Sequence, residues 1–251
     1  MPAIASDALV LRTYDLGETS RLVVLLTRER GKVRAVAKGA RGARSRYRSA
    51  LEPLSEVRVS LHGRQGAELF RLGACELLHS AFQASGRDLE VALALSYFAE
   101  LLDAFAQEGE AEDAVYRLAT SVVRAAEEGT HIVVLTRYLE AWLLRLHGVY
   151  PPLDRCAGCG GALGAGALRY HASAQGFVCE ACGPASGPLL PAGSRAFLTD
   201  VFRRAPTAVS GLRRTDAGPL EAFHHDLIRR HLERDLRSYR VMSDVARGTR
   251  S

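Results

Sequence analysis

Two Cys-x-x-Cys pairs, Cys156-Ala-Gly-Cys159 and Cys179-Glu-Ala-Cys182, stand 19 residues apart in this 251-residue sequence. Two residues between cysteines allow a tight turn that aims both sulfurs at one metal ion, and a hairpin between the pairs closes a tetrahedron of thiolates. Gly160 and Gly183 follow the second cysteine of each pair, where such turns need an unhindered backbone. Leu168-Arg169-Tyr170-His171 and Gly176-Phe177-Val178 would supply the hairpin strands. A full set of four thiolates leaves no open coordination position, so the spacing predicts one structural Zn2+ rather than a catalytic ion. Disulfides and free thiols are the competing accounts. Cys75 stands alone on a strand pattern and reads as a buried apolar thiol.

A second chemistry is carried by charge. Between Arg28 and Arg48, nine basic side chains (Arg28, Arg30, Lys32, Arg34, Lys38, Arg41, Arg44, Arg46 and Arg48) face one acid, Glu29. A polyanion that neutralises several at once releases condensed counterions, and that release supplies most of the affinity of non-specific nucleic-acid binding. A merely solvated basic loop is the bland alternative. Tyr47, inside the run, could stack on a base. Arg229, Arg230, Arg234 and Arg237 form a second basic face on the last predicted helix. There, pairing with Asp226, Glu233 and Asp235 competes with contact to another strand.

No active site is visible. The sequence holds no GxxxxGKS/T phosphate loop, GxGxxG, HExxH or GxSxG elbow, nor the HxE with PCxxC of a zinc deaminase. His224, His225 and His231 lack i, i+4 spacing and read as packed or solvent-facing. Acids between 100 and 113 are scattered singly and read as a solvated helix surface. The chain is expected not to be an enzyme.

The elements that must position these groups follow from periodicity. Residues 8–13 and 21–27 are short apolar runs separated by the turn signal Asp15-Leu16-Gly17. Residues 32–37 alternate, with Val33, Ala35 and Ala37 inward and Lys32, Arg34 and Lys38 sharing the outer face, about 7 Å apart at two-residue spacing. Residues 38–50 read as a long Gly- and Arg-rich loop, and strands 54–61 and 67–79 follow. Five strands with one long basic connection fit a closed barrel of the OB type, a fold that binds single strands across one face. From Ser85 the period is helical, with helices to Gly109, over 111–128 and from Thr130 to Gly148. After the cysteines, helical pattern resumes at 194–204 and over 217–239.

The fold class expected is therefore α+β and multidomain. A five-stranded OB-type nucleic-acid-binding barrel (1–80) precedes a helical domain (81–251) with a zinc-ribbon-like module inserted at 153–187. Charge is segregated to match: residues 1–80 hold 14 Lys/Arg against 8 Asp/Glu, 81–150 hold 5 against 11, and 151–251 hold 14 against 9. No apolar run reaches the ~18–20 residues of a membrane span, and the N-terminus does not look like a secretory signal, so cytoplasm is the expectation.

Read in order, Ala8-Leu9-Val10-Leu11-Arg12, Asp15-Leu16-Gly17-Glu18-Thr19-Ser20-Arg21-Leu22, Thr27-Arg28-Glu29-Arg30-Gly31-Lys32 and Ala37-Lys38-Gly39-Ala40-Arg41 resemble the RecO family of bacterial recombination and repair proteins. The resemblance covers nearly the whole chain and is most specific in its first forty residues. Four-cysteine modules occur in only some of the family, so the metal is expected from these cysteines. The resemblance implies a non-catalytic DNA mediator, associated with the bacterial nucleoid. Such proteins bind single- and double-stranded DNA, anneal complementary strands, bind the acidic tail of single-strand-binding protein, and work with RecR to let RecA load. It implies DNA contacts at Lys32, Arg34, Lys38, Arg41, Arg44, Arg46 and Arg48. The rival reading is an RNA-binding zinc-ribbon protein of translation or transcription.

Overall fold

Strand β1 (Ala3–Leu16) is long enough to serve two neighbours, and this closes the barrel. Its second half, from Ala8, pairs antiparallel with β2 (Ser20–Thr27) and its first half, Ala3–Leu9, pairs with β4 (Glu56–His62). A register shift between Val10 and Arg12 marks the bend between the two pairings. Strand β3 (Gly31–Ala37) pairs antiparallel with β2 and parallel with β5 (Phe70–His79), and β5 returns to β4. The closed order β1-β2-β3-β5-β4 is the OB arrangement that the strand count predicts. The first strand starts five residues earlier than its apolar run, because Ala3–Asp7 owe their conformation to pairing with β4. The computed structural model describes residues 3–248, apart from 43–44, 65, 82–83, 85, 87 and 184–185.

Inward side chains of alternating strand positions, Val10, Val23, Leu25, Val33, Ala35, Val59 and Leu72 among them, fill the barrel. The 38–50 segment is not simply a solvated loop. It returns through a 3-10 turn (Arg48–Leu51), and Tyr47, Ala50 and Leu51 are buried with the barrel core. The β1–β2 sheet is also buried on its outer side, where Leu9, Leu11, Val24 and Leu26 are covered. Two helices, α1 (Leu89–Phe105) and α2 (Asp113–Glu127), pack on β1 and provide that cover. Burial on both faces explains why these strands read as near-continuous apolar runs.

The chain divides into two compact units, residues 1–132 with 235–251, and residues 133–234. The first contains the barrel, α1, α2 and the last helix, α6 (Arg237–Gly248). The second contains most of α3 (Ile132–Leu146), a small sheet of order β7-β6-β8, α4 (Ala192–Val201) and α5 (Arg214–Leu232). Its strands are β6 (Leu168–His171), β7 (Gly176–Val178) and β8 (Leu189–Leu190).

The single helix expected over 217–239 is two helices. Glu233 takes a left-handed conformation (φ 55°) that ends α5, and the chain re-enters helix at Arg237. Glu100 holds the new start, accepting from the Arg237 N–H at 3.2 Å, the Ser238 N–H at 2.7 Å and the Ser238 hydroxyl. A carboxylate over a helix N-terminus satisfies orphan donors and favours the dipole.

Candidate metal centre and nucleic-acid interface

The four cysteines converge. Their sulfurs all lie within 4.8 Å of one another, with Cys159 Sγ 3.9 Å from Cys179 Sγ. Four thiolates about 2.3 Å from one ion would stand about 3.8 Å apart, so the donor set fits a tetrahedral ion. None of the four is in a disulfide. The β6–β7 hairpin brings the pairs together, with Arg169 opposite Val178 and His171 opposite Gly176. Gly158 and Cys179 donate backbone N–H bonds to Cys156 Sγ at 3.4 and 3.3 Å. Backbone donors of Cys159 and Cys179, with Gly158, favour the charged form of Cys156 and pull its thiol down. Gly183 is required by packing, since a Cβ there would lie 2.4 Å from Val178 Cγ2. From α4, Arg195 donates to the backbone oxygens of Leu153, Leu163, Gly164 and Gly166, fastening one loop of the module. Cys75 lies partly buried against the barrel core, where burial pushes its thiol up to about 11.

Around the barrel, the cations of the basic run have unequal surroundings. Lys32 is largely buried, and its Nζ donates to the Asp103 carbonyl oxygen at 2.6 Å with the Asp103 carboxylate 3.7 Å away. Arg34 is more open but paired with Glu108 at 2.6 Å. Arg28, also in the run, pairs with Asp113 at 2.8 Å. Lys38 is exposed and has no carboxylate partner among the described residues. Arg41 donates to the Gly17 carbonyl at 2.7 Å and lies 3.5 Å from Asp15. Arg46 is exposed, donates to the Tyr47 hydroxyl at 2.7 Å and sits 4.9 Å from that ring's centre. Arg44 and the side chain of Arg48 lie outside the described residues.

Tyr47 does not offer a stacking surface. It is 1% exposed, and its hydroxyl donates into the Leu72 and Gly73 carbonyls at 3.0 and 3.1 Å. A buried phenol needs such partners, and β5 provides them. The acids of the 100–113 segment are solvated only in part: Glu108 and Glu110 are exposed, whereas Glu100 and Asp103 are largely covered. Glu100 and Asp103, one turn apart on α1, both reach Arg12 (3.4 and 2.9 Å), while Glu108 and Asp113 take Arg34 and Arg28. Backbone bonds from Lys32 N–H to Gln107 O and from Gly109 N–H to Lys32 O tie the α1–α2 connection to β3. Gly31 permits this approach: its φ is +58°, and a Cβ would lie 2.0 Å from Glu110 O. Sequence reasoning missed Arg12, although the i, i+3 spacing of Glu100 and Asp103 is a signal that two acids share a helix face.

The C-terminal arginines do not form one helix face. Arg229 and Arg230 on α5 both pair with Asp226, at 3.5 and 2.8 Å. Arg234 falls in the break after Glu233, and Arg237 opens α6 in the other compact unit. His224 is packed rather than metal-ligating: it is fully buried, with Nδ1 2.9 Å from Glu140 Oε2 and Nε2 2.9 Å from the Tyr150 hydroxyl.

Comparison with known proteins resolves what this assembly of barrel, helices and cysteine module is. Residues 1–81 match the family model of the recombination protein O N-terminal region, and residues 86–240 match that of its C-terminal region. The chain belongs to the RecO family. The DNA repair protein RecO of Koribacter versatilis is 38% identical over 234 residues, covering 92% of this chain and 94% of that protein. That of Pelotomaculum thermopropionicum is 33% identical over 243 residues, covering 95% and 93%. In an Anaeromyxobacter species (strain K), the RecO protein is 35% identical over 191 residues, covering 76% and 75%. RecO membership makes this a DNA repair and recombination protein, and none of these matches favours a ribbon protein of translation or transcription. No helix among the described residues is long and apolar enough to cross a membrane.

Proposed function

We propose that the protein is a recombination mediator that binds single- and double-stranded DNA and anneals complementary strands without making or breaking a covalent bond. With RecR, it would help load RecA onto single strands coated by single-strand-binding protein, whose acidic tail it would bind. It would act in the bacterial cytoplasm, at the nucleoid. The observation that carries the DNA reading is the set of exposed barrel cations with no carboxylate partner among the described residues: Lys38, Arg46, Arg64 and Arg71. Annealing is opposed by repulsion between two phosphate backbones, and cations left unneutralised by the protein can cancel it. Arg34 and Arg41, held by exposed acids, can exchange those acids for phosphate, whereas Lys32 is enclosed by Asp103. Arg44 and Arg48 remain candidates from sequence. Function is divided between a nucleic-acid-binding part (1–80) and a helical part (81–251), whose four thiolates hold one structural zinc ion in the 153–187 module.

A strand-annealing assay run without nucleoside triphosphate tests this reading. Complementary oligonucleotides should pair faster with the protein than without it, and faster at low salt than at high salt. No acceleration at any salt concentration would overturn the proposal.

A further inference from the structure

The register of the barrel places an apolar row, exposed at Tyr14 and half-buried at Leu22 and Val36, beside the open cations. Tyr14 on β1 is opposite Leu22 on β2, Leu22 is opposite Val36 on β3, and Val36 is opposite Arg71 on β5. Their chain neighbours Val23, Ala35 and Phe70 point into the barrel core, so this row points outward. The next row, Arg12, Val24 and Arg34, is where the acids Glu100, Asp103 and Glu108 engage, and Val24 is already buried. Beyond that line the outer sheet is open: Tyr14 is 47% exposed and Leu16 is 43% exposed. Lys38 and Arg71 are exposed at its far side.

We propose that this open half of the barrel's outer face binds the bases of single-stranded DNA, with Tyr14 as the stacking platform that distinguishes a single strand from a duplex. The inference rests on the DNA-binding reading above and deepens it. An aromatic ring beside aliphatic side chains offers a surface for an unpaired base, while Arg34, Lys38 and Arg71 meet the phosphates that accompany it. A duplex has no free base faces to give such a ring. Charge at the rim is net positive: Arg21, Arg34, Lys38, Arg41 and Arg71 outnumber the acids, of which Asp15 sits between Arg21 and Arg41, Glu108 is on Arg34, and Glu18 is at the hairpin tip.

The test is fluorescence anisotropy at fixed salt with three probes of equal phosphate count: oligo(dT), a duplex and an abasic strand. Tyr14→Ala should weaken oligo(dT) binding about tenfold and change duplex and abasic binding less than about twofold. Tyr14→Phe should bind like the parent, and both variants should keep the parent melting temperature. Unchanged oligo(dT) binding by Tyr14→Ala would overturn the stacking role, as would equal losses on all three probes. Should Tyr14→Ala be silent while Lys38→Ala and Arg71→Ala weaken every probe, only the stacking role fails. If the parent protein binds none of the three, the DNA-binding reading fails with it.

Discussion

The cysteine module and the cationic barrel face are both conspicuous in the sequence, but the fold treats them differently. The module keeps every predicted member: Cys156, Cys159, Cys179 and Cys182 converge as their spacing requires. The cationic run is divided. Lys32 and Arg28 engage acids brought by α1 and α2, while Lys38 and Arg46 stay open. A four-thiolate site is specified by short-range spacing, and its partners are one another. The role of a surface cation is set by whatever folds over it, which can lie 70 or more residues away, as Asp103 does from Lys32.

That contrast can be tested first at the module. Chelation, or Cys156→Ser, should remove one zinc ion per chain by elemental analysis and greatly lower the thermal stability of the 133–234 unit. Structural zinc contributes on the order of 10 kcal/mol in small modules. DNA binding should fall much less. If the metal-free chain melts like the parent, the ion is not structural.

Tyr47 and Tyr14 make a sharper pair. Tyr47→Phe leaves two buried carbonyls without their donor and should cost about 1–3 kcal/mol in urea unfolding, with DNA affinity unchanged. Tyr14→Ala should show the reverse pattern. A Tyr47→Phe variant of full stability but weak DNA binding would mean that the ring leaves the core to meet DNA.

Glu100 tests the covered half of the face. Burial opposes its ionisation, yet the Ser238 hydroxyl and N–H, the Arg237 N–H and Arg12 hold its carboxyl below the usual range. A carboxylate depressed in the folded state adds stability above its unfolded value, near ~4.3, and loses it as pH falls through the folded value. Glu100→Gln should cost about 1–2 kcal/mol at pH 7 and flatten the fall in unfolding midpoint below about pH 5. An unaltered pH profile would exclude this anchoring role. The smallest effect belongs to Glu108→Gln, which frees the half-exposed Arg34 and should tighten oligo(dT) binding about twofold at low salt. Weaker binding would show that Glu108 helps to hold the site.

Much of the architecture is legible in local pattern. Alternation finds β3 and β4, helical period finds α1 to α3, and cysteine spacing finds the module. What escapes is set by distant chain. Ala3–Asp7 become strand only through β4, and Tyr47 sits in a Gly- and Arg-rich segment whose composition says solvent while β5 offers its hydroxyl two acceptors. The break at Glu233 carries no glycine or proline, so helical pattern runs straight through it. Tyr14 is visible as an aromatic, but its place at the edge of the helix cover requires the barrel register.

Salt dependence tests the division of the barrel face most directly. Oligo(dT) affinity is measured against salt concentration for the parent, for Lys32→Gln and for a Lys38→Ala, Arg71→Ala double variant. Each phosphate contact contributes about 0.7 to the slope of log K against log salt, so the double variant should be shallower by about 1.4. Lys32→Gln should leave the slope unchanged. A slope lost in Lys32→Gln and retained in the double variant would contradict the account.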